Sequence, residues 1–338
     1  MPTNSSLPRP PLSPAVADVR VAVRRALTAV RASGLSEGDL VLVALSGGPD
    51  SLALAAATAF EAPRLGIRAG AVIVDHALQA DSEGVATRAA AAAEKLGLAP
   101  VLVRTVRIVG GSGPEAAARE ARYGAIADVA ASTGARQVLL GHTLDDQAET
   151  VLLGLARGSG AASLRGMTPV AGLYVRPLLE VRRETTHAAC AAEHLEPWAD
   201  PHNSEPRFTR VRVRERVLPV LEEELGPGVA EALARTAEQL REDSEALDRM
   251  VQEIIEEICQ PAEAGIAVDV GALAANPAAL RNRIIRLVAL SEFGRSLDRG
   301  HTLEVARLVT DWRGQGPIDV PGIRVSRQGA LLVFTARG

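Results

Sequence analysis

The sequence predicts an α/β protein in two parts, a doubly wound parallel sheet followed by a mainly helical domain that ends in a small β-hairpin. In the first part, short apolar runs alternate with alanine-rich helical segments, as strands and crossover helices do. The first apolar run ends in a glycine-containing turn that leads directly into a helix. From about Glu222 onward, long charged helical stretches replace this alternation. We therefore expect a first domain over 16–225 and a second over 226–338, after a disordered lead-in at 1–15.

Composition limits the classes of function. The chain has 338 residues, of which 47% are hydrophobic and 23% charged, so it is globular and long enough for two domains. Aromatic residues make up only 2%, which argues against a single-strand binder built on base stacking. The net charge of −4 confines any nucleic-acid surface to a local patch. Cys190 and Cys259 have no metal or redox spacing, and no segment reaches the ~20 apolar residues of a membrane span, so we expect free thiols in a cytoplasmic protein.

The elements of the first domain follow from apolar runs and helix signals. Val41–Leu45 is apolar without alternation, which is typical of a strand buried on both faces. Gly97 suits a left-handed helix cap, and Pro114 suits a first helical turn. In chain order we expect helix Val16–Arg31, strand Asp39–Leu45, helix Leu52–Phe60, strand Ala69–Val74, helix Asp81–Leu96, strand Pro100–Ile108, helix Pro114–Ser132, strand Gln137–Leu140, helix Leu144–Ala156 and a short strand near Leu173–Arg176. Right-handed crossovers then give a sheet that binds ligands at the carboxyl ends of its strands.

The second domain is expected to be mostly helical. Its helices are predicted at Gly228–Glu257, Pro277–Glu292 and His301–Trp312. The turn pairs Pro321-Gly322 and Gln328-Gly329 separate apolar runs, which indicates a closing β-hairpin.

The turn Ser46-Gly47-Gly48-Pro49-Asp50-Ser51 carries the strongest chemical signal. Its two glycines allow a tight turn and a close approach to a ligand. The helix start behind them offers unpaired N–H groups and a partial positive charge, which together suit phosphate. Ser46 and Ser51 add hydroxyl donors, while Asp50 can cap the helix or hold a metal ion on bound phosphates. By residue type alone, an ordinary strand–helix turn remains the alternative.

Two further polar clusters, Asp75-His76 and His142, follow strands of the same sheet. Because carboxyl ends of parallel strands meet at one edge, we expect both clusters to share a site with the glycine-containing turn. His142, Asp146 and Glu149 are spaced i, i+4, i+7, which places them on one face if all three are helical. Such a face can bind a cation or take a proton from an amine. Thr143 and Asp146 fit a helix-capping arrangement equally well.

Arginines form a third signal. Arg119 and Arg122 lie three apart, so they can reach one phosphate or lie on a solvated helix face. Arg157, in a glycine-rich turn, has the same two alternatives. Within Asp200–Pro219, the basic run Arg207–Arg216 is interrupted only by Glu215, which makes an anionic partner the more economical explanation. Its arginines are Arg207, Arg210, Arg212, Arg214 and Arg216. On a helix, the first, second and fourth of these share a face.

Several motifs in one order make the sequence similar to a known family. The string SGGPDS resembles the loop of the PP-loop ATP pyrophosphatases, which cleave ATP between the α- and β-phosphates, and it is not a Walker loop. The ordered set SGGPDS, DHAL, GHTLDDQAET, RGSG, RPLL and FTRVRVR resembles the tRNA(Ile)-lysidine synthases over about Val41–Pro219. The C-terminal part is similar to that family's first C-terminal module.

The resemblance implies an adenylation–ligation reaction. ATP activates the carbonyl of the wobble cytidine in an isoleucine tRNA with a CAU anticodon, and the ε-amine of free lysine then displaces AMP to give lysidine. By motif, Ser46–Ser51 with Asp75 and His76 bind ATP, and Asp50 lies near its Mg²⁺. The residues expected to hold lysine and the reacting centre are His142, Asp146 and Glu149, with Arg122 beside the nucleotide. The residues expected to grip tRNA are Arg157, Arg207, Arg210, Arg212 and Arg214. The sequence does not fix the oligomeric state, and a homodimer is one of the alternatives.

Some positions depart from the family pattern, and other functions compete. Gln79 stands where an arginine is usual, and Thr143 stands where the family has a second histidine. A cytidine thiolase of the same superfamily needs a CxxC pair, which Cys190 and Cys259 cannot form. A non-catalytic nucleotide- or tRNA-binding module is the alternative from another class, since fold alone does not decide function. The intact turn together with His142 and the carboxylates favours an enzyme.

Overall fold

The computed structural model describes residues 12–75, 81–106, 114–158, 161–198 and 205–337. Its contacts divide the chain into two compact units, Met1–Leu240 and Arg241–Gly338. Helix α10 (Val229–Ile258) crosses this division, whereas the sequence-based boundary lies ahead of that helix. No described helix is both long and apolar enough to cross a membrane.

The first unit is built on one sheet. Its strands are β1 (Leu40–Ala44), β2 (Arg68–Asp75), β3 (Val101–Thr105), β4 (Gln137–Leu140), β5 (Val170–Ala171) and β6 (Tyr174–Val175). Its helices before α10 are α1 (Pro14–Ala32), α2 (Pro49–Glu61), α3 (Ser82–Lys95), α4 (Pro114–Thr133), α5 (Leu144–Ala156), α6 (Ala161–Leu164), α7 (Arg183–Ala192), α8 (Thr209–Arg212) and α9 (Leu218–Leu225). A π-helical turn, Val213–Val217, joins α8 to α9. Helix α5 has the bounds that the sequence predicts, whereas α7 was not predicted.

The strand order β3-β2-β1-β4-β6-β5 confirms the doubly wound sheet. All neighbours pair in parallel except β5 and β6, a small antiparallel hairpin where the sequence predicts one strand. Central β1 is buried on both faces: Val41 and Val43 pack with α1, α2 and α7, while Leu42 packs with α4. Helices on both faces leave the carboxyl ends of the strands as the edge that can take a ligand.

The second unit is more β-rich than the sequence predicts. Its strands are β7 (Cys259–Ala262), β8 (Gly265–Asp269), β9 (Ile318–Val320), β10 (Ile323–Gln328) and β11 (Leu331–Ala336), and its further helices are α11 (Val270–Ala275), α12 (Ala278–Phe293) and α13 (Arg299–Thr310). The predicted hairpin is present as β10–β11, but it belongs to a five-stranded antiparallel sheet in the order β7-β8-β11-β10-β9. Strands β7 and β8 are short and contain Pro261 and Gly265, so they give no strand signal of their own.

Candidate active site

The turn Ser46–Ser51 forms a phosphate-sized cradle at the end of β1. Gly47 has φ +83°, a left-handed conformation that glycine adopts without strain. The Ser51 hydroxyl accepts from the Ser46 backbone N–H at 3.2 Å and donates to the Gly48 carbonyl at 2.9 Å. Gly48 is the N-cap of α2, and no side chain caps that helix, so Asp50 does not act as the cap. The first-turn N–H groups are therefore left for a ligand.

Two neighbours hold this turn in place. A Cβ on Gly141, at the end of β4, would lie 3.1 Å from the backbone of Asp50 and Ser51, so a side chain there would push the turn out of place by a few tenths of an ångström. The backbone N–H of Trp198 donates to the Gly47 carbonyl at 2.9 Å. Sequence reasoning missed Trp198, because a single tryptophan carries no periodic or motif signal.

A cleft of about 460 Å³ opens over the turn, within the range of small-molecule sites. Asp75 and His142 line it together with the turn, so the strand ends converge as expected. His76 lies outside the described residues, and its role stays a prediction. The remaining charged lining residues are Asp50, Arg119, Arg122, Asp146, Arg210 and Arg214.

Asp50 meets two residues of α7 that sequence reasoning did not single out. Its Oδ1 accepts from the Thr186 hydroxyl, and its Oδ2 lies 3.7 Å from Arg183 Nε. Burial raises the pKa of the Asp50 carboxyl, although Thr186 and Arg183 act in the opposite direction. The described residues contain no group of three His, Cys, Asp or Glu side chains arranged to hold a metal ion. Mg²⁺ on a nucleotide needs only one or two carboxylates besides phosphate and water, and Asp50 fits that requirement.

Asp146 has three partners, which are divided between its two carboxylate oxygens. Its Oδ2 accepts from the Thr143 backbone N–H at 2.9 Å, and Thr143 is the N-cap of α5 in a capping box. Its Oδ1 accepts from Arg183 at 2.9 Å and Arg214 at 3.3 Å. The capping arrangement is therefore present, and it uses one oxygen while the other accepts from the two arginines. His142 precedes the cap, so the expectation that it shares a helix face with Asp146 and Glu149 is wrong.

Glu149 is fully buried and does not line the cleft. Its carboxylate lies 2.7 Å from Arg214 Nε, 3.2 Å from Arg210 Nε and 3.2 Å from Arg183 Nη2. Arg210 and Arg214 therefore have an acidic partner within the protein, and their contact with tRNA stays a prediction. The fold brings α5 against Thr209–Val217, and this pairing is invisible in the local sequence.

The other basic residues of that run lie elsewhere. Arg207 precedes α8, so it does not share a helix face with Arg210; its side chain is 65% exposed and pairs with Glu205. Arg212 donates to the Pro206 carbonyl at 2.8 Å and thereby closes its own turn. Arg157 is exposed at the end of α5. Arg157 and Arg207 are thus the exposed members of the set expected to bind tRNA.

Arg122 and His142 face the cleft with unused binding capacity. Arg122 is largely buried, which lowers its pKa, but a guanidinium remains charged. Within the described ranges, Arg122 forms no ion pair with a carboxylate. Burial lowers the pKa of His142 to about 4, so the imidazole is neutral near pH 7. Its Nδ1 is buried and has no hydrogen-bond partner in the described part of the chain. Both groups are therefore suited to an added ligand.

The fold and site define a PP-loop ATP-binding domain, and the family model of that domain, "PP-loop domain", matches residues 20–221. A second model, "TilS substrate binding domain", matches residues 268–331. The chain is 62% identical to a tRNA(Ile)-lysidine synthase of Leifsonia xyli over 301 residues, or 89% of this chain and 91% of that one. It is 52% identical to the one of Thermobifida fusca over 324 residues, or 95% and 98%. The chain belongs to the tRNA(Ile)-lysidine synthase family.

A solved structure shows the same fold at low sequence identity. The U34-tRNA thiolase NcsA from Methanococcus maripaludis, solved with its 4Fe–4S cluster, superimposes with a TM-score of 0.56. The two are 18% identical, and the match covers 68% of this chain and 80% of that one. At this identity the likeness supports the fold alone.

Proposed function

We propose that this protein uses ATP to ligate free lysine to the wobble cytidine of an isoleucine tRNA with a CAU anticodon. The cytidine C2 oxygen attacks the α-phosphorus of ATP and pyrophosphate leaves; the lysine ε-amine then attacks C2 and AMP leaves. One observation carries the proposal: the cleft joins a phosphate cradle to a wall of carboxylates and arginines. Family membership supports the same reaction. A tRNA substrate and two free thiols fit a cytoplasmic location.

The residues of the turn account for the ATP half of the reaction. The N–H groups of the turn that have no partner within it bind phosphate oxygens. Asp50 would hold Mg²⁺, which would supply positive charge to the phosphates. Arg122, with no carboxylate partner in the described ranges, stabilises the negative charge that develops at the α-phosphate. This charge grows in the transition state, so a fixed cation there lowers the barrier.

Asp146 and His142 account for the lysine half. The ε-amine must bind as a cation and then lose protons before it attacks. Asp146, which lines the cleft, receives the ammonium, and the neutral His142 accepts a hydrogen bond at Nδ1. Glu149 does not line the cleft, but its ion pairs hold Arg210 and Arg214 in place. These two arginines line the cleft and can meet nucleotide or tRNA phosphates. Exposed Arg157 and Arg207 extend the tRNA surface of the first unit. The second unit, which matches the substrate-binding model, also binds tRNA.

The test measures both half-reactions. The purified protein is incubated with ATP, lysine and an isoleucine tRNA transcript carrying CAU, and pyrophosphate release and radiolabelled lysine in tRNA are counted. We expect both signals with CAU and neither with a GAU anticodon in the same tRNA, because GAU has no wobble cytidine. Asp50→Ala should abolish both signals without unfolding the protein. Pyrophosphate release that ignores the anticodon, or no lysine incorporation, would contradict the proposal.

A sulfur-transfer reaction is disfavoured by the two thiols. Burial raises the pKa of Cys190 and of Cys259 to about 11, so neither is a thiolate near pH 7. Cys190 donates to the Pro49 carbonyl at 3.3 Å and belongs to the first unit, whereas Cys259 belongs to the second. A non-catalytic binding module would bind ATP and tRNA but give neither product in the assay above.

A further inference from the structure

One guanidinium, that of Arg183, meets three acidic side chains at or beside the cleft. Arg183 Nη2 lies 2.9 Å from Asp146 Oδ1 and 3.2 Å from Glu149 Oε1. Its Nε lies 3.7 Å from Asp50 Oδ2. Asp50 starts the helix behind the phosphate cradle, and Asp146 lies in the first turn of α5. Arg183 therefore connects the carboxylate of the ATP half with the carboxylates of the lysine half.

The start of α7 fixes Arg183 in this position. Its backbone N–H donates to Asp145 Oδ2 at 2.7 Å, which ties α7 to α5. Thr186, three residues later on the same helix face, donates to Asp50, which ties α7 to α2. The Arg183 side chain is only 19% exposed and does not line the cleft. It therefore acts through its carboxylate partners and does not itself touch a substrate in the cleft.

Three carboxylates this close repel one another, and each must point in a set direction to serve its ligand. Arg210 and Arg214 also balance this charge, but they line the cleft and can turn towards a substrate phosphate. Arg183 is held behind the carboxylates, and its planar fork can donate to several of them at once. It is the cation suited to keep them aligned while the other arginines move.

Resting on the proposed function, we infer that Arg183 is a positioning residue that holds Asp50 and Asp146 in one arrangement and so aligns ATP with lysine. Loss of the Arg183 guanidinium group should disturb both half-reactions together. A purely structural arginine would instead change the free energy of unfolding and leave the kinetic constants of the folded fraction unchanged. KM for lysine and kcat for pyrophosphate release therefore distinguish a positioning role from a purely structural one.

The neighbouring arginine supplies a matched control. Arg182 immediately precedes Arg183 and forms ion pairs with Asp145 and Glu231. In the described structure it contacts none of Asp50, Asp146 and Glu149. Arg183→Gln should raise KM for lysine and lower kcat for pyrophosphate release, each about tenfold or more. Arg183→Lys keeps a point charge without the fork, so both constants should be intermediate. Arg182→Gln should lower the unfolding temperature and change both constants by less than about twofold.

Three results would overturn the inference: wild-type constants in Arg183→Gln, equal losses in Arg182→Gln, or no recovery in Arg183→Lys. If Arg183→Gln does not fold, the comparison of Arg183→Lys with Arg182→Gln decides. ATP binding followed by fluorescence of Trp198, which lines the cleft, separates this inference from the proposed function. If wild type binds ATP but makes no lysidine, the proposed function fails. In that case, weaker ATP binding in Arg183→Gln but not in Arg182→Gln would still support the role of Arg183 in aligning Asp50. Equal ATP binding in all three proteins would overturn that role.

Discussion

Arg214 donates through Nε to Glu149 Oε1 at 2.7 Å, across a sequence separation of 65 residues. The carboxylate is fully buried, and Arg210 and Arg183 reach it as well. A buried charge is tolerated only when it is paired and hydrogen-bonded. The basic run after Glu205 therefore has a partner within the protein before any nucleic acid binds. Arg210 and Arg214 also line the cleft, where their guanidinium groups can meet an added anion.

Glu149→Gln should be strongly destabilising. The change leaves Arg183, Arg210 and Arg214 without their shared buried carboxylate, and the loss of one partner from a buried ion pair costs about 3–5 kcal/mol of unfolding free energy. The measurement is urea unfolding at neutral pH. The exposed pair Arg25–Glu180 provides the control, since Glu180→Gln should change stability by no more than about 0.5 kcal/mol. Equal stability of Glu149→Gln and wild type would show that the arginines do not depend on this acid.

Asp146→Asn separates lysine binding from helix capping. Asparagine keeps an acceptor for the Thr143 N–H but removes the charge that receives the ammonium, so KM for lysine should rise about tenfold or more. Thr143→Val removes the hydroxyl that caps the helix and that also donates to Asp146 Oδ2 at 3.0 Å, but it keeps the carboxylate charge. It should cost about 1 kcal/mol of stability and raise KM far less than Asp146→Asn does. KM is measured by radiolabelled lysine incorporation into tRNA. A loss of thermal stability in Asp146→Asn with normal KM would leave capping as the whole role of Asp146.

The sequence predicts what depends on local pattern. Helix α5 and strand β4 have the bounds that apolar periodicity and flanking polar residues indicate. The ion pairs of Glu149 join residues 34 to 65 apart, so no window of sequence contains both partners. Arg182 and Arg183 look alike in the string RPLLEVRRE, yet one reaches Glu231 and the other Asp146. Only the tertiary placement of the start of α7 distinguishes them.

His142 should make folding stability depend on pH. Its pKa is lowered from 6.5 to about 4 by burial, so the unfolded state binds the proton more readily than the folded state. The stability that the neutral His142 contributes is intact above pH 6.5 and is lost as the pH falls towards 4. By pH 5 the loss of unfolding free energy is about 2 kcal/mol. His142→Gln should therefore lose less stability than wild type between pH 7.5 and pH 5. Urea unfolding at both pH values measures the difference, and parallel losses would show that His142 does not cause this dependence.

Arg207 should contribute to tRNA affinity through phosphate alone. Its side chain is 65% exposed and its acidic partner Glu205 is partly exposed, so a phosphate can compete for it at low cost. Each phosphate contact releases condensed counterions, so Arg207→Ala should flatten the plot of log affinity against log salt by ~0.7–1 unit. The loss should be similar for all tRNAs, because phosphate carries no sequence information.

Two further variants, one at an exposed arginine and one at a buried arginine, serve as comparisons for Arg207→Ala. Arg25→Ala removes an equally exposed arginine from its pair with Glu180, and should leave the salt slope unchanged. Arg214→Ala should lower stability through Glu149, and it should also flatten the slope if Arg214 exchanges its carboxylate for phosphate when tRNA binds. An unchanged slope in Arg214→Ala, with a flattened one in Arg207→Ala, would assign tRNA contact to the exposed arginine and charge balance to the buried one. An unchanged slope in Arg207→Ala would instead remove Arg207 from the tRNA surface and direct the search to the second unit.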